Sequence, residues 1–273
     1  SQHMKPTILI TGASTGIGYT TAIYFANKGW NVAATMRNPE KGKNLASVSN
    51  IKLYALDVMD PNSIKGALDC VIKDFGGVDA VFNNAGYALV GAFEAMSQEQ
   101  IRRQFDTNVF GVMNVTKAIL PYFRSKKGGT IINTSSMGGR ITFPLYSVYH
   151  STKWALEGFM ESLQFELKRF NIRIYNIEPG AIKTEFGNAL DFVSMADYDF
   201  YVQKAHQNML DAYKKAPGPE GVASIVYKAA TGGGFRLRFP ASLQSSTLLF
   251  LRWLLPLKWF NALVAMQVEK GIK

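Results

Sequence analysis

The sequence predicts an α/β protein, a parallel sheet with helices on both faces. Three observations carry that prediction. Short apolar, strand-like runs alternate with helical patterns along most of the 273 residues, the first run leads into a glycine-rich turn that opens a helix, and no Pro/Ser-rich linker or internal repeat divides the chain. Alternation of this kind builds right-handed βαβ units whose crossover helices cover both sides of the sheet. The length allows one large domain with a real core, and residues 5–273 read as that one domain. The leading SQHM, residues 1–4, reads as a cloning remnant, with no secretory h-region behind it.

The elements follow in order. TILIT (7–11) is the first strand, and a helix from about Ile17 to Lys28 ends at Gly29. NVAATM (31–36), IKLYAL (51–56), VDAVFN (78–83), GTIINTSS (129–136) and IRIYNIEP (172–179) are the later strands, with helical segments near 61–75, 98–124 and 147–170. Residues 184–215 break the rhythm and are rich in Phe, Tyr, Met and Asp. Lying past the carboxyl end of a parallel strand, they are either a packed helical excursion or a lid over an apolar substrate, and the lid is expected.

Composition narrows the function. A hydrophobic content of 47% and a charged content of 18% fit a soluble globular protein. The net charge of +10 suits nucleic acid, an anionic membrane or a phosphate-rich ligand. The basic residues are spread along the chain, which argues against nucleic acid. One cysteine, Cys70, forms no internal disulfide and agrees with a reducing, cytoplasmic setting. His3, His150 and His206 are scattered, so no metal site is expected.

The first strand runs straight into TGASTGIG, with Gly12, Gly16 and Gly18 at the turn. Glycines here let backbone approach a pyrophosphate, and the following helix offers free N–H groups and its positive dipole end. The second strand ends in Thr35, Met36 and Arg37, without the carboxylate that would hold an NAD ribose. An arginine at this point accommodates a 2′-phosphate instead. NADP(H) is therefore the expected cofactor, with NAD(H) second.

TGASTGIG, LDV (56–58), NNAG (83–86), TNVFG (107–111), the Ser135–Ser136 pair with YHSTK, and EPG (178–180) together resemble the short-chain dehydrogenase/reductase family. The resemblance covers roughly residues 5–185, with the motifs in order. It implies a doubly wound, Rossmann-type fold with a mostly parallel seven-strand sheet and NAD(P)(H)-dependent carbonyl/alcohol chemistry. It also implies a cofactor site made of Gly12, Ala13, Ser14, Thr15, Gly16, Ile17, Gly18, Arg37, Asp57, Val58, Asn84, Ala85, Gly86, Pro179, Gly180, Ile182 and Thr184. Asp57 would face the adenine, Asn84 the ribose region and Ile182 the carboxamide. Pairing through the helices near 101–124 and 147–170 would give a homodimer or homotetramer.

Tyr-x-x-x-Lys occurs three times, as Tyr24–Lys28, Tyr122–Lys126 and Tyr149–Lys153. In the family the active serine lies thirteen residues before the tyrosine. That count reaches Ser136 from Tyr149, Val109 from Tyr122 and Thr11 from Tyr24. The other two pairs then read as helix-end residues with solvated lysines. Tyr146 lies seven residues from Lys153, about 10.5 Å of helical rise, whereas Tyr149 and Lys153 share a face. Ser135 and Ser136 point to opposite sides of a strand, and the count selects Ser136. Tyr149 is the expected proton donor, with Lys153 and the oxidised nicotinamide favouring tyrosinate. Ser136 would hydrogen-bond the substrate oxygen. By the same resemblance Asn108 would hold a water that reprotonates the site, Tyr149 and Lys153 would both contact the cofactor, and Lys153 would bind the nicotinamide ribose hydroxyls.

After TGGGF the chain continues through RLRFP into LLFLRWLLPLKWFNALVAM (248–266), read as a C-terminal extension over 235–273. Arg252, Pro256 and Lys258 interrupt the apolar run, against a membrane-spanning helix. The extension is either a helix pair over the substrate cleft or an interfacial anchor, and residues 243–268 are expected to do both. The tail and GYALVGAFEAMS (86–97) resemble the steroid- and retinol-active branch of the family, which implies a lipophilic ketone, aldehyde or alcohol as substrate. A 3-oxoacyl-type reductase, a non-catalytic NADP-sensing protein and a membrane-surface scaffold are the alternatives.

Overall fold

The computed structural model describes residues 5–184 and 191–272. The expected cloning remnant and residues 185–190 of the expected lid lie outside the described residues. The chain runs β1 (Thr7–Ile10), α1 (Gly16–Asn27), β2 (Asn31–Met36), β3 (Ile51–Ala55), α2 (Pro61–Phe75), β4 (Ala80–Asn83), β5 (Leu89–Gly91), α3 (Gln98–Phe105), α4 (Gly111–Lys126), β6 (Gly129–Thr134), α5 (Ser147–Leu167) and β7 (Ile172–Glu178). It then continues through β8 (Asp191–Val193), α6 (Asp199–Tyr213), α7 (Glu220–Thr231), β9 (Arg238–Pro240), α8 (Leu243–Leu254) and α9 (Leu257–Val268).

Seven parallel strands form one sheet in the order β3-β2-β1-β4-β6-β7-β9. Because both faces are covered, the central strands are continuously apolar, and TILI and AVFN are buried at every position. Phe25, Trp30, Phe82, Tyr175 and Val226 pack on the face of α1 and α7. Ile64, Val71, Ile119, Phe123, Leu156 and Met160 pack on the face of α2, α4 and α5. Helix α2 shows why the local sequence stops and starts where it does. The Asp60 side chain accepts from Asn62 N–H, Pro61 occupies the first turn, and Gly76 closes the helix at φ +81°.

Strand order reverses between β1 and β4, so the crevice at their carboxyl ends is the natural ligand site of this architecture. Three strands escape the sequence reading. β5 and β8 form a separate two-stranded parallel sheet that ties Leu89–Gly91 to Asp191–Val193. β9 falls inside the segment expected as an extension, yet it is the seventh strand of the main sheet. The extension proper is the α8–α9 pair, whose Leu249 and Phe260 pack with Ile141, Met137 and Phe143 of the loop after β6. The segment near 98–124 is interrupted too: residues Asp106–Phe110 form a π-helical turn between α3 and α4. Among the described residues no helix is long and apolar enough to cross a membrane.

Candidate active site

The glycine turn follows β1 directly. Gly12 and Gly16 have φ of +63° and +59°, and a Cβ on Gly12 would lie 2.8 Å from the Ala85 Cα. Gly18 meets the turn itself, since its Cβ would lie 2.3 Å from the Gly12 carbonyl oxygen. Thr15 is the N-cap residue of α1 and its side chain caps nothing, so Ser14, Thr15, Gly16 and Ile17 bring uncapped helix-start backbone to this turn. That arrangement fits the diphosphate of a dinucleotide. Thr11 Oγ1 accepts from the Asn84 and Ala85 N–H groups at 3.0 and 3.1 Å, and Asn84 Nδ2 donates to the Gly12 carbonyl. Ala13 N–H donates to Thr35 O at 3.0 Å, which brings the end of β2, with the exposed Arg37, alongside the turn.

Asp57 and Val58 follow β3. Asp57 Oδ1 accepts from Met59 N–H, and Val58 packs where a Cβ on Gly111 would fall. Past β7, Pro179 O accepts from Met137 N–H at 2.9 Å, Gly180 N–H donates to Ser242, and Ile182 is buried. Thr184 faces Gly16, whose Cβ would lie 3.5 Å from it. The cofactor candidates thus gather along the carboxyl ends of β1, β2, β3, β4 and β7.

The four catalytic candidates come from three elements. β6 ends at Thr134, so Ser136 belongs to the turn beyond the strand, where its Oγ accepts from Gly138 N–H at 2.9 Å. Ser135 donates to Glu157, whereas Ser136 hydrogen-bonds the Tyr149 phenol. Lys153 lies with its Nζ 5.7 Å from the Tyr149 ring centre and 2.8 Å from the Thr134 carbonyl oxygen. Asn108 sits in the π turn, a distortion frequent at functional positions. Its side chain accepts from Tyr87 N–H and donates to Tyr87 O and Thr152 Oγ1, beside Lys153.

A family model described as short chain dehydrogenase matches residues 6–191. The chain belongs to this family. It is 37% identical over 266 residues to the uncharacterized oxidoreductase YusZ of Bacillus subtilis, covering 92% of this chain and 94% of that protein. It is 39% identical over 202 residues to retinol dehydrogenase 8 of Homo sapiens, covering 70% and 64% of the two chains. The crystal structure of a short-chain dehydrogenase from Streptomyces avermitilis superposes with a TM-score of 0.82 at 29% identity, covering 100% of both chains.

In this short-chain dehydrogenase, burial sets the electrostatics. It pushes the Tyr149 phenol up to about 12, with Ser136 pulling the other way and Tyr146 adding to the rise. Burial also lowers Lys153 to about 8, against the carboxylate of Glu157, which favours the ammonium. Tyr146 is raised by its own burial and by Tyr213, and its ring lies 5.9 Å from that of Tyr149.

Sequence reasoning missed His150. Its Nδ1–H donates to Gly138 O and its Nε2 accepts from Phe143 N–H, both at 2.9 Å, which fixes the neutral tautomer and braces the loop after Ser136. Burial lowers it to about 4. Position next to Tyr149 was the available signal. Lys126 is exposed at the end of α4, and its Nζ also donates to Val78 O at 2.9 Å and pairs with Asp79, tying the helix end to the approach to β4.

Proposed function

We propose that this oxidoreductase uses NADP(H) to interconvert a lipophilic ketone or aldehyde with its alcohol. The observation that carries the reading is the hydrogen-bonded Ser136–Tyr149 pair, with Lys153 over the phenol, at the same sheet edge as the glycine turn. When bound, the nicotinamide supplies or accepts the hydride. Tyr149, kept as a phenol by burial, donates its proton to the carbonyl oxygen, which suits the reducing direction. Ser136 donates a hydrogen bond to that oxygen as charge builds on it. Lys153 presents its ammonium to Tyr149 and to the ribose. The Asn108 side chain is occupied by Tyr87 and Thr152, so a water held there would meet its main chain. Arg37, with no carboxylate beside it in ATMR, would take the 2′-phosphate.

The lipophilic substrate is supported by the likeness to a retinol dehydrogenase and by the apolar α8–α9 pair over Met137 and Phe143. Residues 191–215, as β8 and α6, would serve as the lid, and pairing through α4 and α5 is supported by exposed Trp154 and Phe165. The reading includes a cytoplasmic protein whose residues 243–268 rest on an anionic membrane. Phe250, Trp253, Trp259 and Met266 are exposed there, and the stretch 243–268 carries Arg252 and Lys258 with no Asp or Glu.

Following NADPH and NADH consumption against steroid, retinoid, aromatic and 3-oxoacyl carbonyls tests the function. Faster turnover of the bulky apolar carbonyls with NADPH is expected, and failure with the whole panel overturns the reading. Arg37→Asp should reduce the NADPH preference by about tenfold or more, since a charge-assisted contact is worth about 1.5–3 kcal/mol. Co-sedimentation with anionic vesicles at low salt, weakened by Arg252→Glu with Lys258→Glu, is the expected result for the tail. Equal recovery with and without vesicles rejects the membrane contact.

A further inference from the structure

Glu157 is buried, with 3% of its surface exposed, and no step above uses it. Its carboxylate joins four elements. Oε1 accepts from Ser135 Oγ at 2.5 Å, at the end of β6. Oε2 accepts from Asn176 Nδ2 on β7 at 3.0 Å and from Arg238 Nε on β9 at 2.9 Å. Asn176 closes a ladder across the sheet. Asn83, Asn133 and Asn176 stand in register on β4, β6 and β7, and each amide donates to the next carbonyl oxygen at 3.0 Å before the last donates to Glu157. The donors of this row all point one way, toward the Glu157 carboxylate that accepts at its end.

Both catalytic neighbours of Tyr149 connect to this carboxylate. Lys153 precedes it by four residues on α5, so the two share a helix face. Ser135, which it grips, is the residue before Ser136. Glu161 on α5 pairs with Arg238, and Glu178 on β7 meets Arg140 at 3.4 Å and Arg238 at 3.7 Å. Glu157 and Glu161 thus share the Arg238 guanidinium, and the ammonium of Lys153 lies one turn from Glu157, beside the Tyr149 phenol. Without Glu157 the buried ammonium would lose the one carboxylate that favours its charge.

We propose that Glu157 is a positioning residue of the reaction, holding Lys153 as a cation and fixing the end of β6 from which Ser136 is presented. The proposal rests on Ser136, Tyr149 and Lys153 being the reacting set. Its test, however, needs neither substrate nor cofactor. Competitive acetylation of the full-length protein with acetic anhydride across pH, read lysine by lysine in peptide masses, titrates Lys153 directly. The wild-type inflection is expected at about 8. In Glu157→Gln it should fall by about one pH unit, as expected when a close opposite charge is removed. Glu157→Asp should restore most of that shift, and Glu161→Gln should leave it unchanged. Arg238→Met gives an opposite sign: with the competing guanidinium gone, the inflection should rise, which mere loosening of the fold would not produce. An unshifted Lys153 in folded Glu157→Gln, or a fall in Arg238→Met, overturns the proposal. Shifts as expected with no carbonyl turnover in wild type would instead reject the proposed function alone.

Discussion

Helices α1 and α5 carry the same Tyr-x-x-x-Lys spacing at nearly the same separation. The lysine nitrogen lies 5.6 Å from the Tyr24 ring centre in one and 5.7 Å from the Tyr149 ring centre in the other. Their surroundings differ. Lys28 is exposed at the end of its helix and shared with Tyr227, whereas Lys153 is buried and bonded to Thr134 O. Tyr149 meets a serine in the turn after β6, and Tyr24 meets the ring of Tyr227. The third pair, Tyr122–Lys126, is a clamp: both side chains bond Val78. Spacing places a lysine near a ring; burial and the neighbouring hydroxyl are what set the α5 pair apart.

The sharpest way to break this comparison is to remove one hydroxyl from each helix. Tyr149→Phe should lower turnover by about 10²–10⁴-fold, the usual contribution of a positioned proton donor. Its NADPH affinity, read by fluorescence titration, should stay near that of wild type. Tyr24→Phe should change neither. Wild-type turnover in Tyr149→Phe would make the two helices equivalent.

The residue after each tyrosine extends the contrast. Phe25 is core, whereas His150 is buried, polar and bonded to the loop after Ser136. Because burial lowers His150 from 6.5 to about 4, its contribution to stability is fully present above about pH 6.5 and is lost as pH falls through 4. That window corresponds to about 3 kcal/mol for one proton. Thermal melts from pH 7 to 4 should therefore show a slope that flattens in His150→Asn. An unchanged slope would assign the acid sensitivity to groups other than His150 and Glu178, because the Glu178 carboxyl, raised to about 7 chiefly by burial, adds stability as pH falls through this range.

Much of this was legible in the sequence. β2 matches its expected bounds because five successive buried residues in an α/β repeat give NVAATM the pattern of a covered parallel strand. The glycine turn and the Ser136, Tyr149 and Lys153 set were legible because each motif has a fixed place on a strand end or helix. What escaped depends on tertiary contact. β5, β8 and β9 have three residues each, too few to display a period of two. The π turn at Asn108 inserts one residue per turn without altering the apolar pattern. Glu157 reads as an ordinary polar helix position until Ser135, Asn176 and Arg238 are brought to it from three strands.

The smallest expected effect belongs to Lys28 and tests the exposed half of the comparison. Its ammonium lies 5.6 Å from the ring centres of both Tyr24 and Tyr227, at the C-cap of α1. A cation over a ring at an exposed site is worth about 0.5–1 kcal/mol, and salt weakens it. Favourable placement at a helix carboxyl end is of similar size. Lys28→Ala should therefore lower the melting temperature by only a few degrees, about 2–4 °C per kcal/mol in a domain of this class, and less in high salt. Turnover and NADPH affinity should be those of wild type, whereas Lys153→Ala should damage both. Should Lys28→Ala reduce turnover as Lys153→Ala does, the equal lysine-to-ring distances would matter more than burial, and the distinction between the two helices would fail.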